Sequence, residues 1–235
     1  MTSAFTLAEH ITMLAYRRDT HTLTARRGGQ PASMSRTIVA AMLVELIETK
    51  QIAIVARTGF MRDDFTLERS AFRSTGNASL DQLLAAIEEP GNANKPLSWW
   101  VSFSGVTGTV LADLDARGVI VSEHKKLGFL RSSHEVRIVD PVLDAELHQY
   151  FEAVFLGSAL PSDRDHLLAA VISGGDTWHY FAPLDDRTAA THFFERVQEL
   201  AGRYELATLG RSADARTRSI ARVLDALMRV NAPSS

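Results

Sequence analysis

Cysteine is absent from the 235-residue chain. That excludes disulfides, thiolate metal ligands and any prenyl or palmitoyl anchor. It fits a reducing compartment, so a cytoplasmic location is expected. Position 2 is Thr2 rather than glycine, which removes the myristoyl acceptor. Long apolar runs are missing too. No window approaches the ~18 apolar residues that a membrane-spanning helix needs. The opening "MTSAFTLAEHITMLAYRR" spaces its apolar residues and has no basic leader, unlike a signal peptide. Any membrane contact is therefore expected to be peripheral, at most at the inner face of the cell membrane. Excess positive charge is also lacking: 25 Lys+Arg stand against 28 Asp+Glu, a net −3. A general polyanion binder is usually basic overall, so nucleic acid is not an expected partner.

Familiar catalytic signatures are equally scarce. There is no GxxxxGK[ST] phosphate loop, no GxGxxG after a strand and no GxSxG serine elbow. The eight histidines are scattered, and no HxxxH or HExxH pair puts two imidazoles on one helical face. No catalytic residue, cofactor or metal site is expected.

What is present is an ordinary globular balance, 46% hydrophobic and 23% charged, enough to bury one sizeable core. No Pro/Ser-rich linker divides the chain. The reading is one domain over 1–235, mainly α, with minor strands and a hairpin at about 119–140. Thr6 and Glu9 form a capping box ahead of a first helix ending near Arg17. Residues 19–32 read as loop, with "THTLTA" a possible short strand. "MSRTIVAAMLVELIET" is apolar almost all round, which predicts a central helix with Glu45 held by a structural partner. "QIAIVAR" and "DFTLERSAF" read as paired strands. Ser79 is the expected cap of "LDQLLAAIEE", and Pro96 opens a short helix with Trp99 and Trp100, which, like Trp178, read as core. Helices follow at roughly 142–157, 161–173, 184–202 and 212–230. Asp163 and Asp165 answer a helix dipole. The last helix docks Ile220, Val223, Leu224 and Leu227 and solvates its arginines.

One stretch stands apart. "EHKKLGFLRSSHEVR" sits between two alternating runs, "VIVSEHKK" and "HEVRIVD", which predict a hairpin. Its tip carries Leu127, Phe129 and Leu130, flanked by Lys125, Lys126 and Arg131. Taken alone, such a triplet reads as a core-packed hairpin with solvated lysines. "LVELIETKQIAIV" and "LADLDARGVIVSE" echo each other as helix, turn and strand. A helix followed by a hairpin also ends a winged-helix module. Its reading helix would be "TVLADLDARG", whose two aspartates repel phosphate.

Read in order, the segments resemble the Golgi phosphoprotein 3 family, in its bacterial, actinobacterial-type branch. "FTLAEHITMLAY" is similar to the family's "LTLxEExLLL" helix, and "AAMLVELIETKQIAI" to "xxLLELALRGRI". "SLDQLLAAIEE" resembles "LLDEALxxI", and "KPLSWWVSFSG" resembles "xxxxWxxxLS". "LADLDARGVIVSEHKKLGFLRSSHEVRIVDP" resembles "LxxxLVERGVLxxExxxxLGLFxxxxYPVRDP". The resemblance covers nearly the whole chain. It implies a helical fold with a protruding β-hairpin. Eukaryotic members bind phosphatidylinositol 4-phosphate at the Golgi membrane and sort glycosyltransferases, and the hairpin dips apolar side chains into lipid or mediates self-association.

By resemblance, Lys125, Lys126, Leu127, Phe129, Leu130 and Arg131 form the membrane hairpin. The family's head-group Trp and three Arg positions fall here on Gln30, Val39, Ser104 and Thr107, none of them charged. Arg26, Arg27 and Arg36 lie nearby and are the candidate head-group residues in their place. The implied function is a peripheral adaptor on anionic phospholipid. The alternative is an interaction protein whose hairpin joins copies of the chain in a homo-oligomer or binds another partner.

Overall fold

A computed structural model describes residues 5–16, 31–57, 65–126, 132–157, 159–183, 186–205 and 213–232. Helix α1 (Leu7–Leu14) opens with the capping box expected of Thr6 and Glu9. It stops at Ala15, short of Arg17. The "THTLTA" strand lies outside the described residues. Helix α2 (Pro31–Glu48) starts earlier than its apolar run, with proline in its first turn, where the missing N–H is harmless. From Val39 to Val44 every side chain has zero exposure. Helices α1, α7 (Asp163–Gly174) and α9 (Ala215–Asn231) pack around α2. A helix apolar almost all round is thus the axis of the core, as its pattern predicts.

Strands β1 (Ile52–Ala56) and β2 (Phe65–Arg69) form an antiparallel pair, with Ile54 opposite Leu67. Helix α3 (Ala78–Glu88) follows. Its cap is Asn77, not Ser79: the Asn77 side-chain oxygen accepts from the Leu80 N–H at 3.0 Å. Ser79 is buried, and among the described residues its hydroxyl has no hydrogen-bond partner. Next come α4 (Leu97–Val101), with Pro96 as cap residue, and α5 (Thr107–Ala116). Among the described residues, strands β3 (Ile120–Lys126) and β4 (Ser132–Ile138) pair with each other alone. Helices α6 (Pro141–Phe155), α7, α8 (Arg187–Ala201) and α9 complete the chain. The fold is mainly α with two small antiparallel hairpins.

Helices α6 and α8 join the core through stacked Phe151 and Phe155 and through Phe193, 5.7 Å from Phe151. Helix α9 buries Ile220, Val223, Leu224 and Leu227, as its pattern predicts. Trp100 is core; Trp99 and Trp178 are partly buried against it.

Candidate functional site

The hairpin is launched by a tight turn. At the end of α5 the Val119 N–H donates to the Leu114 C=O at 2.9 Å, and Gly118 N–H to Asp115 C=O. Gly118 has φ +68, the left-handed conformation that closes helices and that glycine adopts without a Cβ penalty. The chain then enters β3. Seven cross-strand pairs follow, from Ile120 opposite Ile138 to Lys126 opposite Ser132. The Val139 N–H donates to the Val119 C=O and extends the ladder one step toward the body. At the return, Asp140 caps α6 and Pro141 takes its first turn.

The root of the hairpin is buried. Ile120, Val136 and Ile138 face the core side at 1%, 3% and 8% exposure, and α5 and α6 pack against the strands. On the opposite face Val121, Glu123 and Arg137 are exposed. Register sets Glu123 opposite Glu135, with Arg137 and Lys125 at the flanking positions on that face. Lys125 and Lys126 are the last ladder residues of β3. Leu127, Phe129, Leu130 and Arg131 lie outside the described residues.

The launch point is clamped to the body. Arg117, in the same turn, donates to Glu9 Oε1 at 2.5 Å and to Asp113 Oδ2 at 3.1 Å. Asn77 Nδ2 donates to both acids, at 2.9 and 3.2 Å. Glu9 is 2% exposed and also accepts from the Thr6 N–H at 2.6 Å. The Arg117 guanidinium lies 5.6 Å from the centre of the Phe5 ring. Three helix termini, those of α1, α3 and α5, are thereby fixed at one point. These partners are far apart in sequence, and the capping box at Thr6 and Glu9 was the only part with a sequence signal.

A second ion network lies at the same end of α1. Glu45 accepts from the Leu7 N–H at 2.9 Å and pairs with Arg164 at 3.0 Å. That is the structural partner its half-buried position requires. Arg164 also donates to the Phe5 C=O at 2.7 Å. Asp163 is exposed and paired with Arg203, whereas Asp165 has zero exposure and closes a capping box with Ser162. The Tyr150 hydroxyl donates to the same Asp165 oxygen at 2.8 Å. Asp165 is therefore a buried cap, more than a dipole charge. His10 is 1% exposed, and burial, with the nearby Arg164 charge, lowers its pKa from 6.5 to about 4.

The candidate head-group residues are not brought together among the described residues. Arg26 and Arg27 lie outside them. Arg36 donates to the Val230 C=O at 3.3 Å and to Asn231 Oδ1 at 2.9 Å. Its guanidinium thus caps the C-terminus of α9. Val39 has zero exposure inside α2. Among the described residues, no group of three or more His, Asp or Glu is placed to hold a metal ion. No helix among them is long and apolar enough to cross a membrane.

Residues 7–216 match the family described as Golgi phosphoprotein 3 (GPP34). The search of curated proteins found no match.

Proposed function

The chain belongs to the Golgi phosphoprotein 3 family, and from that premise we propose that it is a peripheral adaptor on anionic phospholipid, contacting it through the β3–β4 hairpin. One observation carries the reading. The ladder stays paired out to Lys126 and Ser132, seven pairs from a root that is buried against the body. In sequence, Leu127, Phe129, Leu130 and Arg131 stand between the two strands. A paired ribbon anchored at one end presents its loop to whatever lies beyond the body.

The magnitudes suit a visit to the bilayer more than permanent residence. Burying Leu127, Phe129 and Leu130 contributes at most ~1.5–3 kcal/mol each. Lys125, Lys126 and Arg131 add ~1 kcal/mol each at an anionic surface. Partial insertion brings the sum near that of one acyl chain, which binds marginally and reversibly. Arg26 and Arg27 are the remaining candidates for a phosphoinositide head group, since phosphate at Arg36 competes with the end of α9. The expected location is the inner face of the cell membrane.

The alternative, a hairpin that joins two copies of the chain, is favoured by a different observation. Among the described residues the sheet has two strands only, so both edges lack a strand partner. Val121, Val139 and Val142 are exposed near its root.

Vesicle co-sedimentation tests the reading, with neutral, anionic and phosphoinositide vesicles. The native chain is compared with a Leu127→Ser, Phe129→Ser, Leu130→Ser variant, and the oligomer size of each is measured. The expected result is sedimentation with anionic vesicles that weakens with salt and is lost in the variant. If neither chain sediments, the lipid reading is wrong. A change of oligomer size in the variant would then assign the hairpin to a protein interface.

A further inference from the structure

Two hairpins leave the helical body by the same device. At the end of α2 the Thr49, Lys50 and Gln51 N–H groups donate to the carbonyls of Glu45, Ile47 and Leu46. At the end of α5 the Arg117, Gly118 and Val119 N–H groups donate to those of Asp113, Asp115 and Leu114. The spacing is identical. Lys50 (φ 57) and Gly118 (φ 68) occupy the same left-handed position. The acids at matching places, Glu45 and Asp113, both serve the N-terminal end of α1, Glu45 through the Leu7 N–H and Asp113 through the Arg117 it shares with Glu9. The sequence echo between these two segments is therefore a structural repeat. By sequence alone it continues: "GFMR" at 59–62 in the first hairpin answers "GFLR" at 128–131 in the second. Both of these stretches lie outside the described residues.

The surface beside the loop end of the first hairpin is described. Phe65, the first residue of β2, lies under the Arg222 guanidinium at 4.0 Å from its centroid. The neighbouring Thr66 hydroxyl donates to the Lys95 C=O at 2.8 Å, which ties this strand to the approach of α4. Lys95 Nζ sits 5.2 Å from the Trp99 ring, and Trp99 stacks on Phe103 at 5.1 Å. Gly105 leaves room for that stack: a Cβ there would lie 3.0 Å from the tip of the Phe103 ring. Phe65, Lys95, Trp99 and Arg222 are all partly exposed. Among the described residues, aromatic faces and not carboxylates oppose both cations. Cations held on aromatic faces, with charge left to offer, are suited to the head-group layer, where aromatic rings settle and Lys or Arg meets phosphate.

We propose that Phe65, Lys95, Trp99 and Arg222 form a second contact with anionic phospholipid, beside the repeat of the hairpin that carries the first. This rests on the lipid reading above. It also answers the weakness of a single hairpin, because a second contact on the same chain acts at high effective concentration. The net charge of −3 favours a local contact with an anionic bilayer over a nucleic-acid surface.

The test uses the full chain and vesicles of phosphatidylglycerol in phosphatidylcholine, with circular dichroism confirming that each variant folds. Lys95→Gln with Arg222→Gln should weaken binding about tenfold or more, the loss expected from two surface cations. On binding, Trp99 should shift its emission to the blue and be quenched by brominated lipid. Trp99→Phe should abolish that signal and Trp178→Phe should retain it. Unchanged affinity in the double Gln variant, or a signal that survives Trp99→Phe, overturns the proposal. If the serine-tip variant loses binding while the double Gln variant keeps it, the hairpin reading stands and this one falls. If the native chain ignores vesicles but binds single-stranded RNA through Lys95 and Arg222, the surface is a nucleic-acid site and the proposal is wrong.

Discussion

Arg117→Met tests whether the hairpin's launch point is held electrostatically. The substitution keeps much of the apolar stem but removes the contacts to Glu9 at 2.5 Å and Asp113 at 3.1 Å. Glu9 is 2% exposed, and stranding a buried charge costs ~3–5 kcal/mol when nothing else compensates it. Here compensation remains: the Thr6 N–H at 2.6 Å and Asn77 Nδ2 at 2.9 Å still donate to Glu9. The Arg117 side chain is also 36% exposed, so water screens part of the pair. The expected loss is therefore about 2 kcal/mol, below the fully buried range. Glu9→Gln with Arg117→Met leaves no stranded charge at position 9 and should recover at least ~1 kcal/mol of it, seen as coupling in a double-mutant cycle. Urea denaturation of the four chains gives the numbers. A loss under ~0.5 kcal/mol for Arg117→Met, a size typical of surface substitutions, or strict additivity, refutes the clamp.

His10 gives a pH dependence of known sign. Its folded pKa, about 4, lies below the ordinary 6.5, so the unfolded chain binds the proton more readily. The stabilisation is fully present above pH 6.5 and is lost as pH falls towards 4, ~3 kcal/mol in all. Unfolding measured from pH 7 to pH 4 should be flatter in His10→Asn, and an equal slope in both chains contradicts this. The turn residues offer a paired test. Gly118→Ala should cost ~1 kcal/mol from backbone strain alone, since no atom lies within 4 Å of its would-be Cβ. Lys50→Gly, at φ 57, should stabilise by up to ~1 kcal/mol. Thermal melts showing the same sign for both would sink the shared-turn account.

The fold was legible where one face, or every face, must be buried. The run from Val39 to Val44 has no polar side to give to water, so α2 could only be central. Alternation on both sides of the tip fixed the second hairpin's register, because shifting by one residue would expose Ile120 and Ile138. Caps were legible only in part. Asn77 and Ser79 are both good caps, and sequence cannot show that Asn77 is also drawn to Glu9 and Asp113 from other elements. The same limit hid the clamp, whose members come from α1, α3 and α5, and the ring-held cations Lys95, just before α4, and Arg222 of α9. Arg36 illustrates the converse. Its position in sequence suited a head-group role, but its partners, Val230 and Asn231, come from the far end of the chain.

The most direct test of the lipid contact follows from the absence of cysteine. Phe129→Cys creates a single labelling site at the hairpin tip for an environment-sensitive fluorophore. With anionic vesicles the label should brighten and shift to the blue, quenchers within the bilayer should reach it, and neutral vesicles should leave it unchanged. A label that stays in water while the chain is bound to those vesicles would contradict the claim that the hairpin tip makes the contact.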